Sequence, residues 1–308
     1  MKNFLIKSSD HIDLRLDKWL KINFSSLTQN FIEKNLRKGN IKVNNSIQPS
    51  KYRIKLNDKI IIYNYSKEIY SNQKKDISNS VIAPKYKDLF KSAIIFENNE
   101  FIILDKWSGI ATQGGSKINI SIDDIIKNIN INYNLVHRLD RETSGLLIIA
   151  KNRNSTKYFG KLFKEHLIQK IYIATCQGKP KNNESEVTLS IESKKNKKLD
   201  TVTFYKVYET KDKLSNIIFL PKTGRTHQLR IVAKHLGCPI VGDTKYNLKD
   251  RYKFEKLKLN SHILSFNFKD TEYNFTSNLP LHYKEFSKKN NLKKIEIKNF
   301  YNFFNSFK

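Results

Sequence analysis

The sequence predicts an α+β fold with two domains, a small N-terminal one and a larger one built around a mixed sheet. Strand and helix patterns alternate irregularly and long polar stretches separate them, which favours a mixed sheet over a doubly wound parallel one. A polar segment of mixed charge over 66–90 interrupts the pattern and is predicted as a linker. A chain of 308 residues fits one large and one small domain. The predicted domains are therefore 13–65 and 91–308.

The small domain is predicted to contain two helices followed by strands. Leu16, Trp19 and Leu20 share one helical face, and a second helix is expected over 28–38. Gly39 is expected to end that helix in the left-handed conformation. Alternating and β-branched residues then predict strands over 41–44 and 60–62.

The large domain carries a longer series of strand patterns with helices between them. One helix is expected to have Asn154 or Ser155 as its N-cap, and another to end at Gly237. The stretch over 179–186 is polar and is predicted as an excursion between strands. Apolar runs predict strands over 93–96, 101–104, 145–150, 170–178, 201–208 and 216–220.

Net charge is the strongest compositional signal. The formal charge is +28 at pH 7 and the isoelectric point is near 9.8, which indicates a polyanionic partner bound through counterion release. The chain is also rich in Lys, Asn and Ile, so part of this charge is expected on solvated faces. Over residues 1–65, 13 Lys and Arg stand against 5 Asp and Glu, a net charge of +8. That density is high for so small a domain.

Composition also disfavours several classes of protein. The chain has no apolar run of about 18 residues, and its N-terminus lacks the apolar core of a signal peptide. Cys176 and Cys238 lie far apart and outside any Cys/His cluster, so buried free thiols are expected instead of a zinc site or a disulfide. No metal-ligand spacing or glycine-rich phosphate loop is present, so no metal and no cofactor is expected. The sequence therefore favours a cytoplasmic protein, and we expect a monomer.

The segment over 137–151 carries the clearest chemical signal. It reads HRLDRETSGLLIIAK and places Asp140 between Arg138 and Arg141, on a loop that leads through Gly145 into an apolar strand. Opposite charge within about 4 to 6 Å lowers the pKa of an aspartate by about 1 to 3, so the flanking arginines are expected to keep this carboxylate charged. A charged carboxylate suits a nucleophile or a base better than a proton donor.

Three segments together resemble one family of enzymes. The HRLD-x-x-TSG-LL pattern over 137–147, KIYIATCQG over 170–178 and GRTHQLR over 224–230 are similar to motifs of the RluA/RluC/RluD family of RNA pseudouridine synthases. The DKWSG segment over 105–109 resembles the family's NKPxG, with Asp for Asn and Trp for Pro, which leaves the geometry of that turn open. The resemblance covers about 94–282. It implies a catalytic domain with a mixed, largely antiparallel sheet that isomerises uridine to pseudouridine without a cofactor.

The same resemblance implies a role for individual residues. Asp140 corresponds to the catalytic aspartate, and Arg230 to the arginine that pairs with it. Tyr172 corresponds to a tyrosine that stacks on the target base and can take a proton. Arg138 corresponds to the arginine that enters the RNA stack in place of the extruded uridine. Whether the aspartate attacks the sugar or promotes a glycal route stays open.

The small domain resembles the S4 RNA-binding domain. The resemblance rests on RLDKWL, a helix ending in LRKG, and then IKVN and LNDKI. This order of domains implies large-subunit (23S) ribosomal RNA as the partner, as free RNA or an assembly intermediate, and ATQGG over 111–115 favours the RluC type over the RluD type. The resemblance implies that basic residues of the second helix and the following turn contact RNA, namely Lys34, Arg37, Lys38 and Lys42.

Three other interpretations compete with this one. A non-catalytic RNA-binding or ribosome-assembly protein would have the same small domain and a decayed catalytic one, although Asp140, Tyr172 and Arg230 are intact. A synthase could also act on other uridines of ribosomal or transfer RNA. A Ser/His/Asp hydrolase built from Ser144, His137 and Asp140 is disfavoured, because no G-x-S-x-G segment exists and three residues of one short loop converge poorly.

Overall fold

The computed structural model describes residues 1–8, 11–24, 26–70, 82–115, 118–192, 198–247, 251–252, 254–293 and 295. The chain divides into two compact units, Met1–Val81 and Ile82–Lys308. Both contain helices and sheets, so the predicted α+β fold class is confirmed. Residues 71–81 of the predicted linker and 296–308 of the predicted large domain lie outside the described residues.

The N-terminal unit is a three-stranded antiparallel sheet with two helices. Its strands are in the order β1-β3-β2. Leu16, Trp19 and Leu20 of the first helix are buried in its core, as their spacing predicts. The Thr28 hydroxyl accepts a hydrogen bond at the start of the second helix, and Gly39 has φ +70° after its end. The elements are β1 (Lys2–Leu5), α1 (Leu16–Asn23), α2 (Gln29–Arg37), β2 (Ile41–Val43) and β3 (Lys59–Ile62).

The boundaries of this unit differ from the predicted ones at both ends. The edge strand β1 lies before residue 13 and pairs with β3. At the other end, helix α3 (Pro84–Ser92) occupies the C-terminal part of the range predicted as a linker. Pro84 stands in its first turn and Phe90 is buried in the larger unit. The linker predicted over 66–90 is therefore too long, because a single buried aromatic among charged residues gives a weak helical pattern.

The larger unit is built on a ten-stranded sheet. The main path is β4-β5-β7-β12-β8-β11-β10-β9, with β13 paired to β12 and β6 to β7. The pair β12–β7 is parallel and the other pairs of named strands in this sheet are antiparallel. The strands are β4 (Ile94–Glu97), β5 (Phe101–Lys106), β6 (Asn134–Leu135), β7 (Ser144–Ala150), β8 (Gln169–Gln177), β9 (Glu184–Glu192), β10 (Lys198–Lys211), β11 (Leu214–Pro221), β12 (Leu259–Phe268) and β13 (Thr271–Thr276). The remaining helices are α4 (Ile122–Ile129), α5 (Arg153–Lys164), α6 (Gln228–His235) and α7 (Leu281–Lys289).

Strand β7 lies inside this sheet, between β5 and β12, and is buried along its whole length. Gly145 at its start has φ +105°, and a Cβ there would lie 2.3 Å from the carbonyl oxygen of Ser261 on β12. Only glycine permits both the backbone conformation and this close parallel pairing. The loop that carries Asp140 therefore enters the sheet at a fixed point beside β12, whose other neighbour is β8.

The predicted N-cap of α5 and the predicted polar excursion over 179–186 need correction, whereas the predicted state of the two cysteines is confirmed. The N-cap of α5 is Asn152 and not Asn154 or Ser155, because the Asn152 side chain accepts the hydrogen bond from the Ser155 amide. Strand β9 begins within 179–186. Its exposed and less exposed positions alternate, as in a strand, but most of its residues are polar, so the sequence pattern does not reveal it. Cys176 and Cys238 are free and buried, as predicted. Among the described residues, no helix is long and apolar enough to cross a membrane.

Candidate active site

One cavity of the larger unit brings the three motif segments together. Its volume is about 470 Å³. The loop over 137–145 forms one wall, Tyr172 of β8 forms another, and the segment over 221–230 contributes a third. The predicted convergence of these segments is therefore present in the structure.

A short segment, 106–112, hydrogen-bonds to the loop over 137–145. The Thr112 hydroxyl donates to the Leu139 carbonyl oxygen at 2.7 Å and accepts from the Leu139 amide at 3.1 Å. The Gly109 amide donates to the Arg141 carbonyl at 3.0 Å, and the Arg141 Nε donates back to the Gly109 carbonyl at 3.0 Å. These reciprocal bonds fix the backbone on both sides of Asp140.

Lys106 adds a buried cation to this support. Its side chain is fully buried, and Nζ donates to the carbonyl oxygens of Trp107, Ile110 and Arg141 at 3.0, 3.1 and 3.2 Å. Burial lowers the pKa of Lys106 to about 7, and the charges of Glu142 and Asp140 oppose that shift. In its charged form, the ammonium ties the turn after β5 to the loop over 137–145 through all three of its protons.

Asp105, which stands in the DKWSG segment where the family pattern has Asn, lies at the end of β5 and binds the segment after β13. Its carboxylate accepts hydrogen bonds from the Ser277 hydroxyl at 2.8 Å and the Asn278 amide at 2.9 Å. Burial raises the pKa of Asp105, while these two hydrogen bonds act against the rise. Asp in place of the family's Asn thus accepts two bonds from the segment after β13, away from the cavity.

The carboxylate of Asp140 faces the cavity without a close partner. Its side chain is 17% exposed, and Oδ2 lies 3.9 Å from Arg230 Nη1 and 3.9 Å from His227 Nε2. Within the described part of the chain it accepts no hydrogen bond, and neither Arg138 nor Arg141 forms an ion pair with it. The expectation that the flanking arginines hold this charge is wrong, because neighbours along an extended loop point in different directions. The cation beside Asp140 comes from helix α6.

Arg230 is held in place by a second acid, Asp243. Its Nε and Nη2 donate to the two carboxylate oxygens of Asp243 at 2.8 and 2.7 Å. The Asp243 side chain is 0% exposed, and it also accepts from the amides of Lys245 and Tyr246. Burial raises the pKa of Asp243, but its hydrogen bonds, led by Arg230, outweigh burial and lower it. Arg230 therefore presents its remaining nitrogen, Nη1, toward Asp140.

His227 lies on the other side of Asp140, at the start of α6. It has a left-handed backbone, φ +56°, and its Nδ1 lies 3.0 Å from the Tyr246 hydroxyl. Burial lowers the pKa of His227; the charge of Asp140 raises it and that of Arg230 lowers it further. The ring is thus mainly neutral near pH 7 and adds little charge beside Asp140.

Tyr172 closes the cavity as a neutral phenol. It is half-buried on β8 and packs against the apolar residues under the cavity. Burial raises the pKa of Tyr172 to about 12; the charge of Asp140 acts in the same direction and the Ser261 hydroxyl opposes it. The side chain therefore keeps its proton near neutral pH, which suits stacking on a base better than taking a proton.

Comparisons with known proteins identify the family of this site. The family model described as RNA pseudouridylate synthase matches residues 100–235. The chain is 40% identical over 300 residues to the ribosomal large subunit pseudouridine synthase C of Rickettsia felis, covering 91% of this chain and 98% of that protein. The chain belongs to the RNA pseudouridylate synthase family.

Other relatives agree with this assignment. The enzyme is 31% identical over 290 residues to the ribosomal large subunit pseudouridine synthase C of Buchnera aphidicola subsp. Baizongia pistaciae, covering 87% of this chain and 90% of that protein. The solved structure of human RNA pseudouridylate synthase domain containing 4 matches with a TM-score of 0.60 at 21% identity, over 69% of this chain and 98% of that one. This second likeness supports the fold.

The other predicted residues lie at two separate places in the enzyme. Arg138 is exposed on the rim of the cavity, as a residue that enters an RNA stack needs to be. Lys34, Arg37 and Lys38 of the N-terminal unit are exposed on and just after α2, and Lys42 Nζ lies 5.2 Å from the ring centroid of Tyr63. Lys34, Arg37 and Lys38 therefore present charge to solvent within their own unit, and Lys42 is half-buried.

Sequence reasoning missed two supporting residues, Lys106 and Asp243. Lys106 is part of the DKWSG segment, but nothing in that pattern shows that its ammonium is buried under the loop. Asp243 follows Gly242, where φ is +76° and a Cβ would lie 2.6 Å from the Lys256 carbonyl. A glycine next to an acid after the GRTHQLR segment was the one available signal.

Proposed function

We propose that this enzyme isomerises specific uridines of large-subunit (23S) ribosomal RNA to pseudouridine. The observation that carries the chemistry is the Asp140 carboxylate, which faces a cavity beside a fixed arginine and accepts no hydrogen bond from the described residues. Relatives that match over most of the chain are named as large-subunit synthases, which supports the choice of RNA. The name they share also supports the RluC type.

In the proposed reaction the bond between N1 and C1′ breaks, the base turns within the cavity, and C5 bonds to C1′. The hydrogen on C5 leaves as a proton and N1 gains one, so no oxidant or energy source is needed. Asp140 either attacks C1′ or removes a sugar proton on a glycal route. Arg230 keeps positive charge beside Asp140, and Tyr172 stacks on the base, which is worth about 1 to 3 kcal/mol.

Access to the uridine requires flipping, which costs a few kcal/mol in a folded RNA. Arg138 stands exposed at the cavity rim, and its planar guanidinium would fill the gap left in the stack. The exposed position of Arg138 supports this role. No described residue holds its guanidinium in an ion pair or hydrogen bond, so the side chain is free to enter the RNA.

The N-terminal unit, Met1–Val81, is proposed to bind ribosomal RNA as an S4-like domain, and the larger unit, Ile82–Lys308, is proposed to be the catalytic domain. Exposed basic residues on α2 support contact with phosphates. We propose that the enzyme acts in the cytoplasm, because its proposed substrate is ribosomal RNA, either free or in an assembly intermediate. Asp140, Tyr172 and Arg230 meet in one cavity of the larger unit, so the proposed reaction needs no residue from a second copy of the chain, and we propose that the enzyme acts as a monomer.

Tritium release tests this proposal. Transcripts of 23S rRNA, 16S rRNA and transfer RNA labelled with [5-³H]uridine are incubated with the enzyme, and pseudouridines are mapped by carbodiimide treatment and primer extension. We expect stoichiometric release from 23S rRNA at a few mapped positions. Release from transfer RNA or 16S rRNA alone would refute the choice of substrate, and no release from any RNA would favour a non-catalytic RNA-binding protein.

A further inference from the structure

The cavity extends past Tyr172 to a second group of residues that the proposed reaction does not use. Lys170 and Tyr172 are two positions apart on β8, so their side chains stand on the same face about 7 Å apart along the strand. His137, Phe163 and Lys170 line this end of the cavity together with the more exposed Lys164. None of them belongs to the Asp140, Arg230 and Asp243 cluster.

Lys170 is a half-buried cation without a counter-ion. Its ammonium makes no hydrogen bond or ion pair with any residue in the described ranges, and Nζ lies 6.0 Å from the ring centroid of Phe163. Burial lowers the pKa of Lys170. A charge that has lost part of its hydration and gained no partner stabilises an anion brought to it.

His137 supplies a directed donor at the same end. Strand β6 pairs with β7 only as far as Leu135 opposite Ile149, and the next free amide, that of Ile148, donates to His137 Nε2 at 2.8 Å. Because Nε2 accepts, a neutral ring carries its proton on Nδ1. Burial and the charge of Lys170 lower the pKa of His137 to about 3, which keeps the ring neutral. No described residue accepts from Nδ1.

We propose that His137 and Lys170 form a phosphate subsite for the RNA backbone, next to the nucleotide that reacts at Asp140. Lys170 supplies the charge, and the Nδ1–H of His137 supplies a hydrogen bond of fixed direction. The Phe163 ring lies 4.8 Å from the His137 ring, centroid to centroid, and limits its rotation. The subsite rests on the proposed function, because an RNA substrate provides the phosphate.

Ethylation interference tests this subsite on full-length protein. Partially phosphate-ethylated fragments of 23S rRNA are bound to the Asp140→Asn protein, which cannot turn them over, and bound and free RNA are compared. We expect ethylation of one phosphate near the target uridine to block binding. With Lys170→Met added, that block should disappear and binding should weaken about tenfold. The slope of log K against log salt should fall by about 0.7 to 0.9.

Matched variants separate the subsite from general charge and from folding. Lys170→Arg should keep the interference, and Lys161→Met, an exposed lysine of α5 outside the cavity, should leave binding and slope unchanged. His137→Gln keeps an acceptor for the Ile148 amide but not the ring donor, and should weaken binding without changing the melting temperature. An interference pattern identical with and without Lys170→Met would overturn the subsite. The binding assay does not depend on turnover. If ethylation interference at one phosphate depends on Lys170 but the wild-type enzyme releases no tritium, the subsite stands and only the proposed function is refuted.

Discussion

Asp140 and Asp243 lie within reach of one guanidinium, and the fold surrounds them in opposite ways. Asp243 is 0% exposed and accepts two bonds from Arg230 and two from backbone amides. Asp140 is 17% exposed, stands 3.9 Å from the same arginine, and accepts no hydrogen bond from the described residues. The Asp243 carboxylate thus accepts four hydrogen bonds, whereas the Asp140 carboxylate accepts none from the described residues.

In the proposed reaction, this difference assigns binding of the cation to Asp243 and the chemistry to Asp140. A carboxylate that accepts several N–H bonds is stabilised in its charged form and becomes a poorer nucleophile. If Arg230 were held by Asp140 alone, the reacting oxygens would be engaged by its donors. Because Asp243 binds Arg230 through Nε and Nη2, the arginine contributes charge beside Asp140 without occupying it.

Removing the shared cation should have the largest effect among the supporting residues. Arg230→Ala leaves Asp243 buried without its counter-charge, and breaking such a pair costs about 3 to 5 kcal/mol of stability. Loss of a fixed charge beside the reacting group should also lower single-turnover tritium release about 100-fold or more on every RNA. Arg230→Lys cannot form the two-pronged bond and should restore little. Wild-type rates for Arg230→Lys would contradict the fixed-cation account.

Asp243→Asn tests the comparison from the other side. The variant keeps an acceptor near Arg230 but removes the charge, so Arg230 Nη1, now 3.9 Å from Asp140 Oδ2, is free to approach and hydrogen-bond that oxygen. We expect turnover to fall about tenfold although Asp140 and Arg230 are both present. Urea unfolding should show a loss of about 1 to 3 kcal/mol. An unchanged rate with a reduced stability would mean that Asp243 supports the fold only.

Arg138→Ala should differ from Arg230→Ala in its dependence on RNA structure. Flipping costs a few kcal/mol in folded RNA and least where the base is already unstacked. The variant should therefore lose most activity on folded 23S fragments and be partly rescued on a short unstructured RNA with the same uridine. Single-turnover rates on the matched pair measure this. Equal losses on both RNAs would remove the stacking role of Arg138.

Lys106→Met should have the smallest effect on rate and a distinct effect on stability. The pKa of Lys106 is about 7 in the folded protein, against about 10.4 for an unfolded lysine. Between these values the unfolded chain binds more protons, so the free energy of unfolding rises with pH by up to about 1.4 kcal/mol per pH unit. Lys170 contributes in the same direction. Urea unfolding from pH 7 to 9 should show a flatter slope for Lys106→Met than for wild type; parallel slopes would contradict the lowered pKa.

The residues of the site could be predicted from sequence because each belongs to a contiguous motif. Asp140, Tyr172 and Arg230 all line one cavity, as the resemblance implies. Their roles in the reaction stay predictions. The partners of Asp140 were predicted wrongly, since Arg138 and Arg141 are neighbours in sequence only, and charge order along a loop does not determine where side chains point.

In the fold, too, elements specified by local sequence patterns were predicted correctly, and contacts between distant residues were not. Helix α2 and its end at Gly39 follow from local patterns, and both are present. Strand β9 and helix α3 were missed, because each buries only a few residues within a polar sequence. The Arg230–Asp243 pair joins a helix to a turn 13 residues later, and no periodicity specifies such a contact.

If the free carboxylate of Asp140 is the reacting group, the isosteric variant Asp140→Asn should lose nearly all turnover. Single-turnover tritium release from [5-³H]uridine 23S rRNA is measured for wild type and variant, with RNA affinity and melting temperature as controls. Release should fall about 1000-fold or more while affinity and melting temperature stay at wild-type values. Release above about a tenth of the wild-type rate, from a folded variant that binds RNA normally, would contradict this role of Asp140.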